Sequence, residues 1–116
     1  MTLRSKLQLK PDQAVVVLAQ PDGLRLDLAI SSGTPSAGDA VLAFVHDGVA
    51  LGALESAICE AASADRLTWV AYPKAGRLGT DLNRDILREH FAKLAIRPVR
   101  QVALDDDWSA LRLRPA

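Results

Sequence analysis

Three strand-length runs, apolar but for Thr68, limit what this chain can fold into more than any other feature. They are "AVVVLA" at residues 14–19, "AVLAFV" at 40–45 and "LTWVA" at 67–71. A strand open to water on one face alternates apolar and polar residues, so a run with at most one polar position predicts a strand covered on both faces, as in parallel sheets. The covering helices can be read from the segments between. "GVALGALESAICEAASAD" follows the second run, with Leu51, Leu54, Ile58 and Ala61 or Ala62 at helical spacing. Strand, amphipathic helix, strand is the pattern of a right-handed crossover between parallel strands.

A second helix is predicted in "TDLNRDILREHFAKLA". Leu87, Phe91 and Leu94 form its apolar stripe, widened by Leu82 and Ile86, and Glu89 and Lys93 face the other way. Thr80 or Asp81 reads as its N-cap, and Pro98 ends it. A strand at 99–104, a turn at Asp105–Asp107 and a strand at 108–113 then make an antiparallel hairpin. Residues 21–39 are ambiguous. "LRLDLAI" alternates like a strand, but the same letters suit a short helix capped by Asp22, and the reading leans to the helix.

At 116 residues the chain is expected to be one domain with one core. About half of it is hydrophobic, and fourteen cationic side chains balance fourteen acidic ones. No net field is therefore expected to draw in nucleic acid or a membrane surface. Cys59 is the only cysteine, which suits a reducing compartment and makes a poor zinc ligand set. The first residues lack the apolar stretch of a signal peptide, and the apolar runs are too short to span a bilayer. A cytoplasmic location is the expectation.

Ligands of open α/β sheets sit outside the carboxyl ends of the strands. The residues that follow the three runs are Gln20–Gly23, His46–Gly48, and Tyr72–Lys74 leading into Arg77, Gly79, Thr80 and Asp81. The stretch "YPKAGRLGTDLNRD" has two readings. A helix start with Lys74 and Arg77 beside it can hold an anion. A plain strand–helix joint, capped by Thr80 or Asp81, explains the same letters, because a capping carboxylate competes with an anion for the same N–H groups. The lysine precedes both glycines, so the segment does not match a phosphate-binding P-loop. Structural readings also lead elsewhere. Neighbouring His46 and Asp47 point apart by spacing, His90 flanks an amphipathic helix, and Asp105–Asp107 lacks the spaced pattern of a calcium loop. Trp108 is expected to anchor packing or an oligomer contact. No Gly-x-Ser-x-Gly elbow and no Cys–His nucleophile pattern stand out.

Four patches carry a likeness to a known group: "KLQLKPDQAVVVLAQPDG", "GDAVLAFV", "LTWVAYPKAGRLGTDLNRD" and "LDDDWSALRLRP". With them the chain resembles a bacterial family of small proteins of unknown function that has a truncated, class I methyltransferase-like Rossmann fold. The positions that match are Pro21, Asp39, Trp69, Pro73, Lys74, Thr80, Asp81 and Trp108. The resemblance implies a short helix opened by the Pro-Asp-Gly at 21–23. It does not imply methyl transfer. "LAQPDG" has one glycine where S-adenosylmethionine needs a glycine-rich turn, and some twenty residues before the second run leave little room for the strand that ends in a ribose-binding acid.

The expected fold is thus a small three-layer α/β domain, Rossmann-like and mostly parallel, with about five strands and a C-terminal antiparallel hairpin. The leading functional expectation is a non-catalytic module acting through protein contacts or as a homo-oligomer, without cofactor or metal. The alternative is a binder of a small anionic ligand, a nucleotide or phosphate ester, using Lys74, Arg77, Thr80 and Asp81 with Tyr72 and His46 lining the pocket. A minimal S-adenosylmethionine-dependent methyltransferase stands third.

Overall fold

A computed structural model describes residues 3–10, 13–21, 24, 30–31, 40–74 and 77–116. The three apolar runs are strands: β1 is Val15–Leu18, β3 is Ala40–Phe44 and β4 is Thr68–Pro73. A two-residue strand, β2 (Ile30–Ser31), pairs with β1, and the hairpin adds β5 (Ile96–Ala103) and β6 (Trp108–Pro115). Together they form one sheet in the order β2-β1-β3-β4-β6-β5. Every residue of β3 and β4 is buried, as a nearly all-apolar run requires.

The sheet is mixed, where the sequence predicts a mostly parallel one. The ladders from β2 to β4 are parallel, and both ladders of β6 are antiparallel. The reason is where the last strand goes. The hairpin does not add both strands at the margin: β6 turns back and inserts between β4 and β5, leaving β5 as the edge. β5 also starts earlier than predicted. Ile96, fully buried, opens it, and Pro98 lies inside it beside a register shift at Pro98/Arg100. Proline is tolerated there because an edge strand can spare an N–H.

Helices α2 (Gly48–Ser63) and α3 (Arg84–Ala92) cover one face. Leu51, Ile58, Leu87 and Phe91 pack there against Val70, Tyr72, Leu111 and Leu113. Ile86 stays partly open to solvent, and Leu94, also partly open, lies beyond the end of α3, so the α3 stripe is narrower than its sequence suggests. His90, read as a solvated flank, instead meets Glu55 of α2 with Nε2 2.6 Å from Oε1. On the other face, Phe44, Trp69 and Trp108 are covered by the N-terminal segment. Leu7, just after the four-residue helix α1 (Leu3–Lys6), is buried there, and its carbonyl accepts a 3.0 Å bond from the Trp69 indole N–H. Among the described residues the third layer is therefore this short segment and Leu24, not a full helix. Of residues 22–30, read as a short helix or a strand, only Leu24, which belongs to no element, and Ile30, which opens β2, are described; the rest and the matching position Asp39 lie outside the described residues. No helix among the described residues is long and apolar enough to cross a membrane.

Candidate functional site

Two cavities open at the carboxyl edge of the sheet, on opposite faces. The larger, about 670 Å³, lies beyond β1 and β3 and is lined by Ala19, Pro21, Leu24, Phe44, His46, Ala50, Leu78, Asp105, Asp107 and Trp108. Its floor is the edge-to-face pair of Phe44 and Trp108, with ring centroids 5.2 Å apart. Its rim is held in place. The His46 Nε2–H donates to the Leu78 carbonyl at 2.6 Å, which leaves Nδ1 3.7 Å from Asp47 Oδ2. The structure therefore brings His46 and Asp47 closer than their spacing suggests. Asp105 Oδ1 accepts from the N–H groups of Asp107 and Trp108, both at 2.8 Å. That is the polar turn expected of "DDD". Two lining residues, Ala19 and Leu78, hold left-handed backbone with φ 56° and 55°. Such strain costs about 1–3 kcal/mol per residue and gathers at ligand clamps.

The smaller cavity, about 390 Å³, lies on the helix side, lined by Tyr72, Lys74, Asn83, Arg84, Asp85, Gln101 and Ser109. Tyr72 is 3 % exposed and its hydroxyl accepts a 3.1 Å bond from Gln101 Nε2. Burial pushes that hydroxyl above its ordinary pKa, while the Arg84 guanidinium pulls it the other way.

The six residues predicted for one site are thus distributed over five places. His46 belongs to the larger cavity; Tyr72 and Lys74 belong to the smaller. Arg77 is held by Asp107, Nη1 to Oδ1 at 3.1 Å, in a 3-10 turn at Arg77–Gly79. Thr80 bonds only locally, its Oγ1 accepting from the Leu82 N–H. Neither Thr80 nor Asp81 caps the following helix. Asn83 does, accepting from the Ile86 N–H at 2.8 Å. The Asp81 carboxylate caps the other helix instead, accepting from the Gly48 N–H at 2.9 Å while Asp47 accepts from Ala50. Two carboxylates therefore occupy the start of α2, the place an anion would take. The loop glycine Gly76 lies outside the described residues. No group of three or more His, Cys, Asp or Glu side chains placed to hold a metal occurs among the described residues. The Cys59 thiol is pushed up by burial and by Glu55, away from nucleophilic use.

Sequence reasoning missed Phe44 and Leu78 in the larger cavity, and Arg84, Gln101 and Ser109 in the smaller. One of these had a visible signal. Ser109 alternates with Leu111 and Leu113, which makes it a lone hydroxyl on the core-facing side of a strand. Comparison with protein-family models gives no match, and comparison with curated proteins gives none either.

Proposed function

We propose that this chain is a small-ligand-binding module whose ligand enters the larger cavity at the carboxyl ends of β1 and β3. One observation carries the reading: an apolar, aromatic-floored cavity of about 670 Å³ carries a few fixed polar groups at the position where α/β sheets bind ligands. Asp105 and Asp107 accept hydrogen bonds, so the rim suits a flat ligand with donors, such as a nucleoside, better than a bare anion. The strand–helix–strand–helix course with its antiparallel hairpin supports the Rossmann-like, methyltransferase-like reading of the fold. It does not extend to S-adenosylmethionine. The turn after β1 runs Ala19-Gln20-Pro21, where a methyl group and a proline stand in place of the glycines a close cofactor contact needs. The reading through protein contacts has exposed apolar side chains behind it, chiefly Val49 at 84 %. Its expected anchor, Trp108, is only 6 % exposed and serves the core.

A thermal-shift panel of nucleosides, nucleotides and S-adenosylmethionine tests the proposal. A true ligand at a hundred times its dissociation constant adds about 2.7 kcal/mol. That corresponds to a rise of about ten degrees for a domain near this size. Ala50→Phe, which puts a ring into the cavity without removing a core group, should abolish the shift. A shift that survives this replacement places the ligand elsewhere.

A further inference from the structure

We propose that the smaller cavity, between β4, β6 and the start of α3, is a second site that binds a phosphate group. It is separate from the cavity of the proposed function, lies on the other face of the sheet, and has the opposite charge preference.

One hydroxyl at the cavity has no protein partner among the described residues: that of Ser109, which is 5 % exposed and lines the cavity. That hydroxyl is not sealed from solvent, so it stays free to bond a group that enters the cavity. Ser109 stands opposite Tyr72 in the β4–β6 ladder, so the two hydroxyls share a face.

A directed chain of hydrogen bonds then frees a second donor. Arg84 Nη1 donates to Gln101 Oε1 at 3.3 Å, and Gln101 Nε2 donates to Tyr72 Oη at 3.1 Å. Arg84 can only donate, so it fixes which end of the Gln101 amide faces it. The Tyr72 oxygen is thereby an acceptor, and its own proton has no acceptor among the described residues. Because burial raises the Tyr72 pKa, that proton stays on at neutral pH. Two neighbouring O–H donors therefore lack an acceptor.

The charges complete the site. Lys74 makes no ion pair among the described residues, and Arg84 meets only an uncharged amide. Asp85, the one carboxylate among the described residues of the wall, is drawn to Arg88 at 3.3 Å. Asn83 satisfies the Ile86 N–H, and the N–H groups of Arg84 and Asp85 at the same helix start add positive potential. Donors and cations without acceptors call for a compact group with several anionic oxygens, which a phosphate monoester supplies. A neighbouring cavity of about 360 Å³ shares Arg84 and Gln101 and is also lined by Arg88 and Arg100. It offers room for the rest of the ligand and favours further negative charge there.

Inorganic phosphate is the first probe, titrated against sodium chloride at matched ionic strength and followed by calorimetry and by thermal shift. Saturable binding is expected. Lys74→Gln and Arg84→Gln, neither of them in the core, should each weaken it about tenfold or more, as loss of a charge-assisted hydrogen bond predicts. Tyr72→Phe and Ser109→Ala remove one oxygen each and should weaken it about threefold to tenfold. A sugar phosphate and a mononucleotide, compared with inorganic phosphate, show which remainder the adjoining cavity accepts; tighter binding of either supports the site. Phosphate binding that is unsaturable, or that is equal in wild type and the Lys74→Gln, Arg84→Gln double variant, overturns the proposal. Ala50→Phe should leave phosphate binding unchanged, which separates this site from the larger cavity.

Discussion

Two helices end in the same backbone conformation with different residues. Asp65 follows α2 at φ 57°, and Ala95 lies just after α3 at φ 60°. Aspartate tolerates the left-handed region, and here its carboxylate also takes a two-pronged bond from Arg114. Alanine has no such compensation, and its exposed methyl group makes no contribution to the core. The left-handed penalty is about 1–2 kcal/mol, and the extra freedom of an unfolded glycine returns part of it. Ala95→Gly should therefore stabilise the protein by about 0.5–1 kcal/mol. Urea unfolding of the two proteins measures this directly; equal or lower stability for the variant contradicts the strain argument.

At the scale of elements, the start of α2 shows a helix held from a distance. Asp47 caps it locally, but the first N–H, that of Gly48, goes to Asp81, thirty-three residues beyond it. Gly48 eases the approach: a Cβ there would stand 3.3 Å from Asp81 Oδ2, and the carboxylate would have to give by a few tenths of an ångström. Asp81→Ala should cost about 1 kcal/mol, the usual value of a helix-start carboxylate, and should speed hydrogen exchange of the Gly48 amide. Phosphate binding at the smaller cavity should not change. A variant as stable as the wild type, with the Gly48 amide equally protected, shows that the contact is incidental. The same contact explains why the predicted cap of α3 was misplaced. Thr80, Asp81 and Asn83 all have cap chemistry, and nothing local chooses among them. Leu82 is buried and Asp81 is drawn to α2, so only Asn83 remains to start a helix that points Leu87 and Phe91 inward.

For the molecule as a whole, the unequal layers matter most. One face has two helices, while the described cover of the other is a short N-terminal segment pinned by Leu7. Leu7 is 1 % exposed and sits against the largest buried side chain, Trp69. Leu7→Ala should cost about 2–5 kcal/mol, as deletion of a packed leucine does. That is a large share of the roughly 5–15 kcal/mol available to a domain. Tryptophan fluorescence during urea unfolding reports it, because the Trp69 indole bonds to the Leu7 carbonyl. A loss below about 1 kcal/mol means the segment is not part of the core. The opposite margin is guarded differently. β5 is a long edge strand, yet it carries Pro98, a register shift, Arg97 and Arg100, features that discourage pairing with another sheet.

Much of this was legible in the residues, because burial on two faces leaves a nearly all-apolar run and burial on one leaves a period. The runs at 14–19, 40–45 and 67–71 became β1, β3 and β4, the period in 48–65 became α2, and "DDD" became the hairpin turn. These are local consequences of covering apolar side chains. The candidate sites were less legible, since a site is a meeting of segments. Tyr72 and Lys74 were read correctly as neighbours at a strand end, but the partners that give them meaning, Gln101 and Ser109, lie on the returning hairpin. Strand order is set by which pairing buries most surface across the whole sheet, and no window of sequence contains that comparison. The insertion of β6 between β4 and β5 made the sheet mixed, placed Ser109 opposite Tyr72, and brought Trp108 over Phe44. Local patterning decided which residues form strands and helices; long-range pairing decided which side chains face one another, and with that where a ligand can sit.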